Sequence, residues 1–230
     1  MRSVEAVIFD KDGTLFDFAS TWEAWALAFL RRLGRDEAHA RALAEAVSFD
    51  YDAQVFRAES IVIAGMPSEI ATALSGHLPE MTQAEIVALL NEEAGRAPQA
   101  EAVPLAPLLG QLRARGLKLG VATNDAEAPA RAHLGSAGVV PLFDFIAGFD
   151  SGYGGKPAPG QLLAFCKAVG VAPEAAVMVG DSTHDLRAGR AAGMRTVAVL
   201  TGMAGEADLA PLADVVLPDI GHLPDWLDQL

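Results

Sequence analysis

The chain of 230 residues contains one cysteine, Cys166, and no apolar run long enough to cross a bilayer. A single cysteine excludes an intrachain disulfide and is typical of a reducing compartment. A membrane-spanning helix needs roughly 20 consecutive apolar residues. Glu5 and Asp10 interrupt the first apolar run too early for a secretory signal. These absences predict a cytoplasmic protein that has no membrane partner.

Positive charge is also scarce, because 17 Lys and Arg face 30 Asp and Glu and give a formal net charge of −13. Proteins that bind nucleic acid need dense Lys and Arg surfaces, so we expect no nucleic-acid partner. An acidic protein that binds a small phosphate must place cations in the site itself, either lysine or a metal ion. With 51% apolar residues, the chain has enough core material for one large domain or two modest ones.

Short apolar runs alternate with helical patterns along most of the chain. Six runs are predicted as strands: residues 4–9, 117–122, 145–149, 175–179, 196–200 and 214–217. Four amphipathic patterns are predicted as helices: residues 105–115, 127–137, 159–169 and 184–192. Alternation of this kind predicts an α/β fold, a three-layer Rossmann-like parallel sheet with helices on both faces.

Residues 18–100 break this alternation, because they contain only successive amphipathic helix patterns and no strand pattern. Ser20 with Glu23, and Thr82 with Glu85, have the spacing of capping boxes that begin helices. We therefore predict an all-helical cap domain of residues 18–100. It would be inserted into an α/β core of residues 1–17 and 101–230 through linkers at 15–19 and 97–103.

Two carboxylates follow the first predicted strand. Asp10 and Asp12 are one residue apart, so in an extended segment both side chains leave on the same face. One could act as a nucleophile and the other as a general acid/base, although a plain Asp-Gly turn explains the segment equally well on its own. By strand alternation, Lys11 should point away from both and be solvated or ion-paired.

Asp181 and Asp185 follow a later predicted strand, at a junction between a loop and a helix. Carboxylates four residues apart there can face one hard cation such as Mg²⁺, and helix capping is the alternative. Thr123 and Asn124 follow another strand and offer a hydroxyl and a backbone amide to a phosphate. Their alternative role is to cap the next helix.

Lys156 follows two glycines and could supply a point charge to a phosphate, with a solvated surface lysine as the alternative. Pro157 excludes a P-loop, which requires Ser or Thr after the Gly-Lys pair. In the insert, Trp22, Trp25 and Phe29 share one helix face, and we expect that face to form the core of the cap rather than to line a cleft. Arg57 could reach a substrate anion, but a solvated position is favoured.

Taken together and in this order, these segments resemble the haloacid dehalogenase superfamily of hydrolases. The resemblance covers six positions of the α/β region: Asp10, Asp12, Thr123, Lys156, Asp181 and Asp185. The layout is most similar to phosphoglycolate-phosphatase-like enzymes, in which a helical cap follows the first motif. The resemblance implies a Mg²⁺-dependent phosphatase that acts on a small phosphorylated metabolite, as a monomer or a homodimer.

The resemblance also implies residue roles. Asp10 would be the nucleophile that forms an aspartyl-phosphate, and Asp12 would be the general acid/base. The metal would be held by Asp10, the backbone carbonyl of Asp12, and Asp181, with Asp185 ordering its waters. Thr123, the Asn124 amide and Lys156 would hold the phosphoryl oxygens.

Two other functions stay open on the same core. A sugar phosphomutase would share these residues, and a non-catalytic phosphate- or metal-binding regulator is disfavoured because no acidic residue of the pattern is missing. Asp12 argues against the dehalogenases, which lack the second aspartate. The absence of lysine from residues 18–100 argues against a Schiff-base phosphonoacetaldehyde hydrolase.

Overall fold

The computed structural model describes residues 3–230 and contains eight β-strands and ten α-helices within them. The strands are β1 (Ala6–Phe9), β2 (Phe49–Asp50), β3 (Val55–Phe56), β4 (Lys118–Ala122), β5 (Phe145–Ala147), β6 (Ala176–Gly180), β7 (Arg195–Val199) and β8 (Val215–Leu217). The helices are α1 (Phe18–Leu33), α2 (Glu37–Ala46), α3 (Pro67–Ser75), α4 (Gln83–Ala94), α5 (Leu105–Ala114), α6 (Glu127–Ser136), α7 (Gly160–Val169), α8 (Thr183–Ala192), α9 (Glu206–Leu209) and α10 (Leu223–Leu227). None of the helices in this part of the chain has the length and apolar character of a membrane span.

Six strands form one parallel sheet in the order β5-β4-β1-β6-β7-β8. They correspond to the six predicted strands, and α5 to α8 correspond to the four predicted helices. The α/β fold class is therefore confirmed. Short apolar runs were sufficient here because the central strands β1, β4, β6 and β7 are buried on both faces.

Helices cover both faces of the sheet. On one face, Leu105, Leu109 and Leu112 of α5 pack against β1 and β4 side chains in a buried cluster. On the other face, Leu162 and Phe165 of α7 pack with alternate residues of the same strands. Burial of each such side chain contributes roughly 1.5–3 kcal/mol, so this three-layer packing is the main source of stability in the core.

The residues 18–97 form an apolar cluster of their own, built from α1 to α4 and centred on side chains such as Leu43, Leu74 and Ile86. A short antiparallel pair, β2 with β3, lies among these helices. The expectation of an all-helical insert is wrong in this detail. Strands of two residues are too short to show an alternating pattern in the sequence.

One of the two predicted helix starts is correct. Thr82 begins α4 with a capping box, since its Oγ1 accepts from the Glu85 N–H and its own N–H donates to Glu85. The Ser20 prediction is wrong, because α1 begins at Phe18 and Asp17 is its N-cap, accepting from the Ser20 N–H at 2.8 Å. Asp17 is as good a cap as serine, and it lies three residues earlier.

The two connections between the insert and the sheet run side by side. The Asp17 N–H donates to the Ala100 carbonyl at 2.8 Å, and the Ala102 N–H donates to the Leu15 carbonyl at 3.0 Å. The ends of the insert are therefore adjacent, as insertion of an independent unit into one loop requires. The division into a core of residues 1–17 and 101–230 and a cap of residues 18–100 stays a prediction.

Deletion of residues 20–96, with a short Gly/Ser linker in their place, is expected to leave a folded α/β core. The apolar faces of the sheet are covered by α5 to α8 and α10 without help from the insert. Circular dichroism and thermal unfolding test this, and a cooperative transition is expected. A chain without cooperative unfolding would show that the core depends on the cap and that the division is wrong.

Candidate active site

Lys156 lies buried between two carboxylates. Its Nζ is 2.5 Å from Asp10 Oδ1 and 2.6 Å from Asp185 Oδ1. Burial by itself would lower the pKa of the lysine, but the charges of Asp10 and Asp185 raise it above its ordinary value. A solvated surface lysine is therefore excluded, and Lys156 is a fixed positive charge in the site.

Asp10, Asp181 and Asp185 form a buried group of carboxylates, with one oxygen of each lying within 4.8 Å of the others. Burial raises the pKa of Asp10 to about 7, although Lys156 acts in the opposite direction. Burial and the neighbouring Asp10 also raise the pKa of Asp181 well above its usual value. The group has more negative charge than Lys156 neutralises, and hard oxygen donors in this arrangement fit Mg²⁺.

Two glycines allow these carboxylates to approach the backbone. Gly13 has a φ of +77°, and a Cβ at that position would overlap the Asp181 carboxylate. A Cβ at Gly180 would overlap Asp185 in the same way. Thr14 donates to Asp181 Oδ1 at 3.3 Å. It therefore connects the segment after β1 to the segment after β6, in addition to closing its own turn.

Asp185 fills both of the roles that the sequence predicts as alternatives, which are helix capping and membership of a charged cluster. Its Oδ2 accepts from the Ser182 N–H at 3.0 Å, within the capping box that begins α8. Its other oxygen faces Lys156. The residue therefore caps the helix and contributes to the charged cluster at once.

Thr123 and Asn124 extend from the end of β4 into the same cavity. The Thr123 hydroxyl accepts from the Asp125 N–H at 3.0 Å and keeps its own proton to donate. The Asn124 side chain donates to the carbonyls of Ala64 and Lys156, both at 2.9 Å, and accepts from the Lys156 N–H at 2.8 Å. Asn124 thus fixes the loop that carries Lys156, a role that the sequence did not indicate.

Lys11 is fully buried and contacts Asp12, contrary to the prediction that it points away. Its Nζ lies 2.6 Å from Asp12 Oδ2 and 3.1 Å from Asp125 Oδ2. Burial alone would raise the pKa of Asp12, but the Lys11 charge holds it below its ordinary value. The ion-paired alternative is confirmed, but the predicted direction is wrong because alternation holds only within a strand, and β1 ends at Phe9.

His133 and Trp22 complete this group, and sequence reasoning missed both. Lys11 Nζ donates to His133 Nδ1 at 3.1 Å, and His133 Nε2 donates to the Ala94 carbonyl at 2.7 Å. The Trp22 indole donates to Asp12 Oδ1 at 2.9 Å. Since Trp22 and Ala94 belong to the insert, Trp22 joins the cap directly to Asp12, and His133 joins the cap to Lys11.

One cavity contains all of the predicted site residues, namely Asp10, Asp12, Thr123, Asn124, Lys156, Asp181 and Asp185. The insert forms its opposite wall, which includes Trp22, Trp25 and Phe29. The expectation that this aromatic face would only form the cap core is wrong, because it packs in the cap and lines the cavity as well. Arg57 is paired with Glu45 at 2.8 Å and does not line the cavity.

The buried His133 should make stability depend on pH. Burial and the Lys11 charge lower its pKa from 6.5 to about 4, so between these values the unfolded chain binds the proton and the folded chain does not. Stability should therefore fall as the pH falls through this window, by about 2 kcal/mol between pH 7.5 and pH 5. Chemical denaturation gives the free energy of unfolding of wild type and His133→Gln at each pH. The contribution of His133 is the difference between the two proteins in how this free energy changes with pH.

Equal pH dependence of wild type and His133→Gln would contradict the assignment of His133 as a buried neutral group.

Comparison with known proteins agrees with this arrangement. Residues 4–193 match the family model described as haloacid dehalogenase-like hydrolase. The phosphoglycolate phosphatase of Rhodospirillum rubrum is 43% identical over 123 residues, which are 52% of this chain and 50% of that protein. The phosphoglycolate phosphatase of Xylella fastidiosa strain 9a5c is 32% identical over 202 residues, which are 88% of this chain and 82% of that protein.

A solved structure shares the fold over almost its whole length. It is a predicted phosphoglycolate phosphatase from Haemophilus somnus, with a TM-score of 0.72, 20% identity, and coverage of 98% of this chain and 99% of that one. The family model matches well over half of the chain and includes every residue of the carboxylate and lysine cluster. The chain belongs to the haloacid dehalogenase-like hydrolase family.

Proposed function

We propose that the protein is a Mg²⁺-dependent phosphatase that hydrolyses a small phosphomonoester through an aspartyl-phosphate on Asp10. The observation that supports this most strongly is the position of Asp10 in the cavity. Lys156 lies at 2.5 Å, and two further carboxylates complete an oxygen-donor group. This arrangement joins a nucleophile to the positive charge that phosphoryl transfer requires.

In the first step, a carboxylate oxygen of Asp10 attacks phosphorus, and the bond between phosphorus and the ester oxygen breaks. The leaving oxygen takes a proton from Asp12 and departs as the alcohol. Lys11 favours the ionised form of Asp12 before substrate is present. A dianionic phosphate beside Asp12 raises the pKa of Asp12. Asp12 therefore takes up a proton when the substrate binds, and this is the proton that it donates to the leaving oxygen.

In the second step, Asp12 removes a proton from water, and the resulting hydroxide attacks phosphorus of the aspartyl-phosphate. The bond between phosphorus and the Asp10 oxygen breaks, which releases inorganic phosphate and restores the carboxylate. The Lys11 and Trp22 contacts hold Asp12 in place for both proton transfers. Thr123, the Asn124 amide and Lys156 are proposed to hold the phosphoryl oxygens.

The metal would be held by Asp10, the backbone carbonyl of Asp12, and Asp181, with Asp185 ordering its waters. Bound there, Mg²⁺ supplies positive charge that offsets the negative charge of the phosphoryl oxygens and of the clustered carboxylates. The raised pKa values of Asp10 and Asp181 agree with this assignment, because they reflect a buried cluster with too little positive charge of its own.

A small phosphorylated metabolite is the proposed substrate, and phosphoglycolate is the first candidate because the relatives carry that name. The chain spans half the length of the Rhodospirillum rubrum protein and 82% of the Xylella fastidiosa protein. The lone Cys166 is consistent with a reducing compartment, so we place the enzyme in the cytoplasm.

Replacement of the nucleophile tests the reaction. Asp10→Asn should lower phosphate release from a panel of small phosphomonoesters by at least about a thousandfold, because an amide cannot form the aspartyl-phosphate. Release is measured with Mg²⁺ and with a chelator, and folding is checked by circular dichroism. Substantial activity in the folded variant would refute Asp10 as the nucleophile. If wild type releases no phosphate but forms phosphorylated Asp10, a mutase is favoured.

Removal of one proposed metal ligand tests the metal site. Asp181→Ala should weaken Mg²⁺ binding by at least about tenfold, since it removes one of the clustered carboxylates. Titration calorimetry with Mg²⁺ measures this, and Asp225→Ala, at an exposed position, is the control. Unchanged affinity in Asp181→Ala would place the metal elsewhere.

A further inference from the structure

The insert contributes an apolar wall to the cavity above Asp10. The cavity contains about 960 Å³ of empty space, part of it open to solvent. Eighteen insert residues line it, and among them only Asn91 has a polar aliphatic side chain. The rest of this wall is aliphatic, aromatic or glycine.

A carboxylate on the leaving group would find no cation on this wall. None of the arginines of the insert lines the cavity, and Arg32 and Arg41, for example, pair at exposed positions with Glu93 and Asp52. Among the described residues that line the cavity, Lys156 is the one Lys or Arg, and it is already paired with two carboxylates. On the insert wall, a second anionic group in the substrate would therefore lose its hydration without gaining a charged partner, and Ser182 and His184 line the cavity only from the core side.

Aromatic rings form the part of the wall near Asp12. Trp22 and Trp25 meet edge to face with centroids 5.2 Å apart, and Trp25 stacks on Phe29 at 4.8 Å. The Trp25 indole nitrogen is buried and has no acceptor among residues 3–230. A neutral donor of this kind fits an ether, carbonyl or hydroxyl oxygen, but it does not supply the charge that a buried carboxylate needs.

We infer that this cavity selects phosphomonoesters whose leaving alcohol is uncharged and apolar, in preference to phosphoglycolate. The inference rests on the proposed phosphatase function and specifies its substrate class. Each additional buried methylene should raise kcat/KM roughly three- to fourfold until the wall is covered. A leaving group that carries a carboxylate should be penalised.

The first test compares primary-alkyl esters, so that the reactivity of the leaving group stays similar. With full-length protein and Mg²⁺, kcat/KM is measured for methyl, propyl and benzyl phosphate and for phosphoglycolate. We expect a rise from methyl to benzyl and at least a tenfold preference for benzyl phosphate over phosphoglycolate. Asp10→Asn protein supplies the background rate.

The outcomes separate the two claims. Mg²⁺-dependent release with equal or better turnover of phosphoglycolate would overturn the apolar selectivity and leave the phosphatase intact. No release from any ester would overturn the proposed function, and the inference with it.

A cation introduced into the wall gives an independent test. The measured quantity is kcat/KM for phosphoglycolate divided by kcat/KM for benzyl phosphate. Asn91→Arg should raise this ratio by at least about tenfold, because the arginine provides the missing partner for the carboxylate. Ala88→Arg, on the exposed side of the same helix and outside the cavity lining, should leave the ratio unchanged. An unchanged ratio in folded Asn91→Arg would contradict the inference.

Discussion

The ion pairs of Lys156 with Asp10 and Asp185 are the interaction on which the rest of the site depends. Three carboxylates lie together in a buried region, where unpaired charges are costly. Two unit charges at 4 Å interact by about 4 kcal/mol even at an effective dielectric constant of 20. One fixed cation lets the cluster form, and the remaining excess of negative charge creates the demand for a divalent metal ion. The same lysine is the one proposed to contact the phosphoryl group.

A second lysine organises the other aspartate and connects it to the cap. Lys11 pairs with both Asp12 and Asp125, while Trp22 and His133 join this group to α1 and to the end of α4. A further link runs from the Asn124 side chain to the Ala64 carbonyl. These polar contacts couple the position of the cap to residues proposed for chemistry, so a displacement of the cap would disturb Asp12 and the loop of Lys156 together.

The sheet, its flanking helices and the main site residues could be predicted from the sequence, because buried strands have short apolar runs and parallel strands bring their carboxyl ends to one edge. The partners of Lys11 could not, since His133 is distant in the chain and no local rule brings it there. Periodicity identified the buried face of α1 that contains Trp22. It does not distinguish burial against protein from burial against a cavity, so the dual role of that face was missed.

The cavity has two chemically different halves, and each depends on the other. The core half is charged and is proposed to bind what phosphomonoesters have in common, the phosphoryl group. The insert half is apolar, and its low polarity would strengthen the interactions of Lys156 and of a bound metal with the phosphoryl oxygens. Charged side chains on the insert wall would serve recognition of a charged leaving group, but they would also bring water to the reacting phosphate. An apolar wall avoids this conflict, and it leaves size and apolar contact as the means of selection.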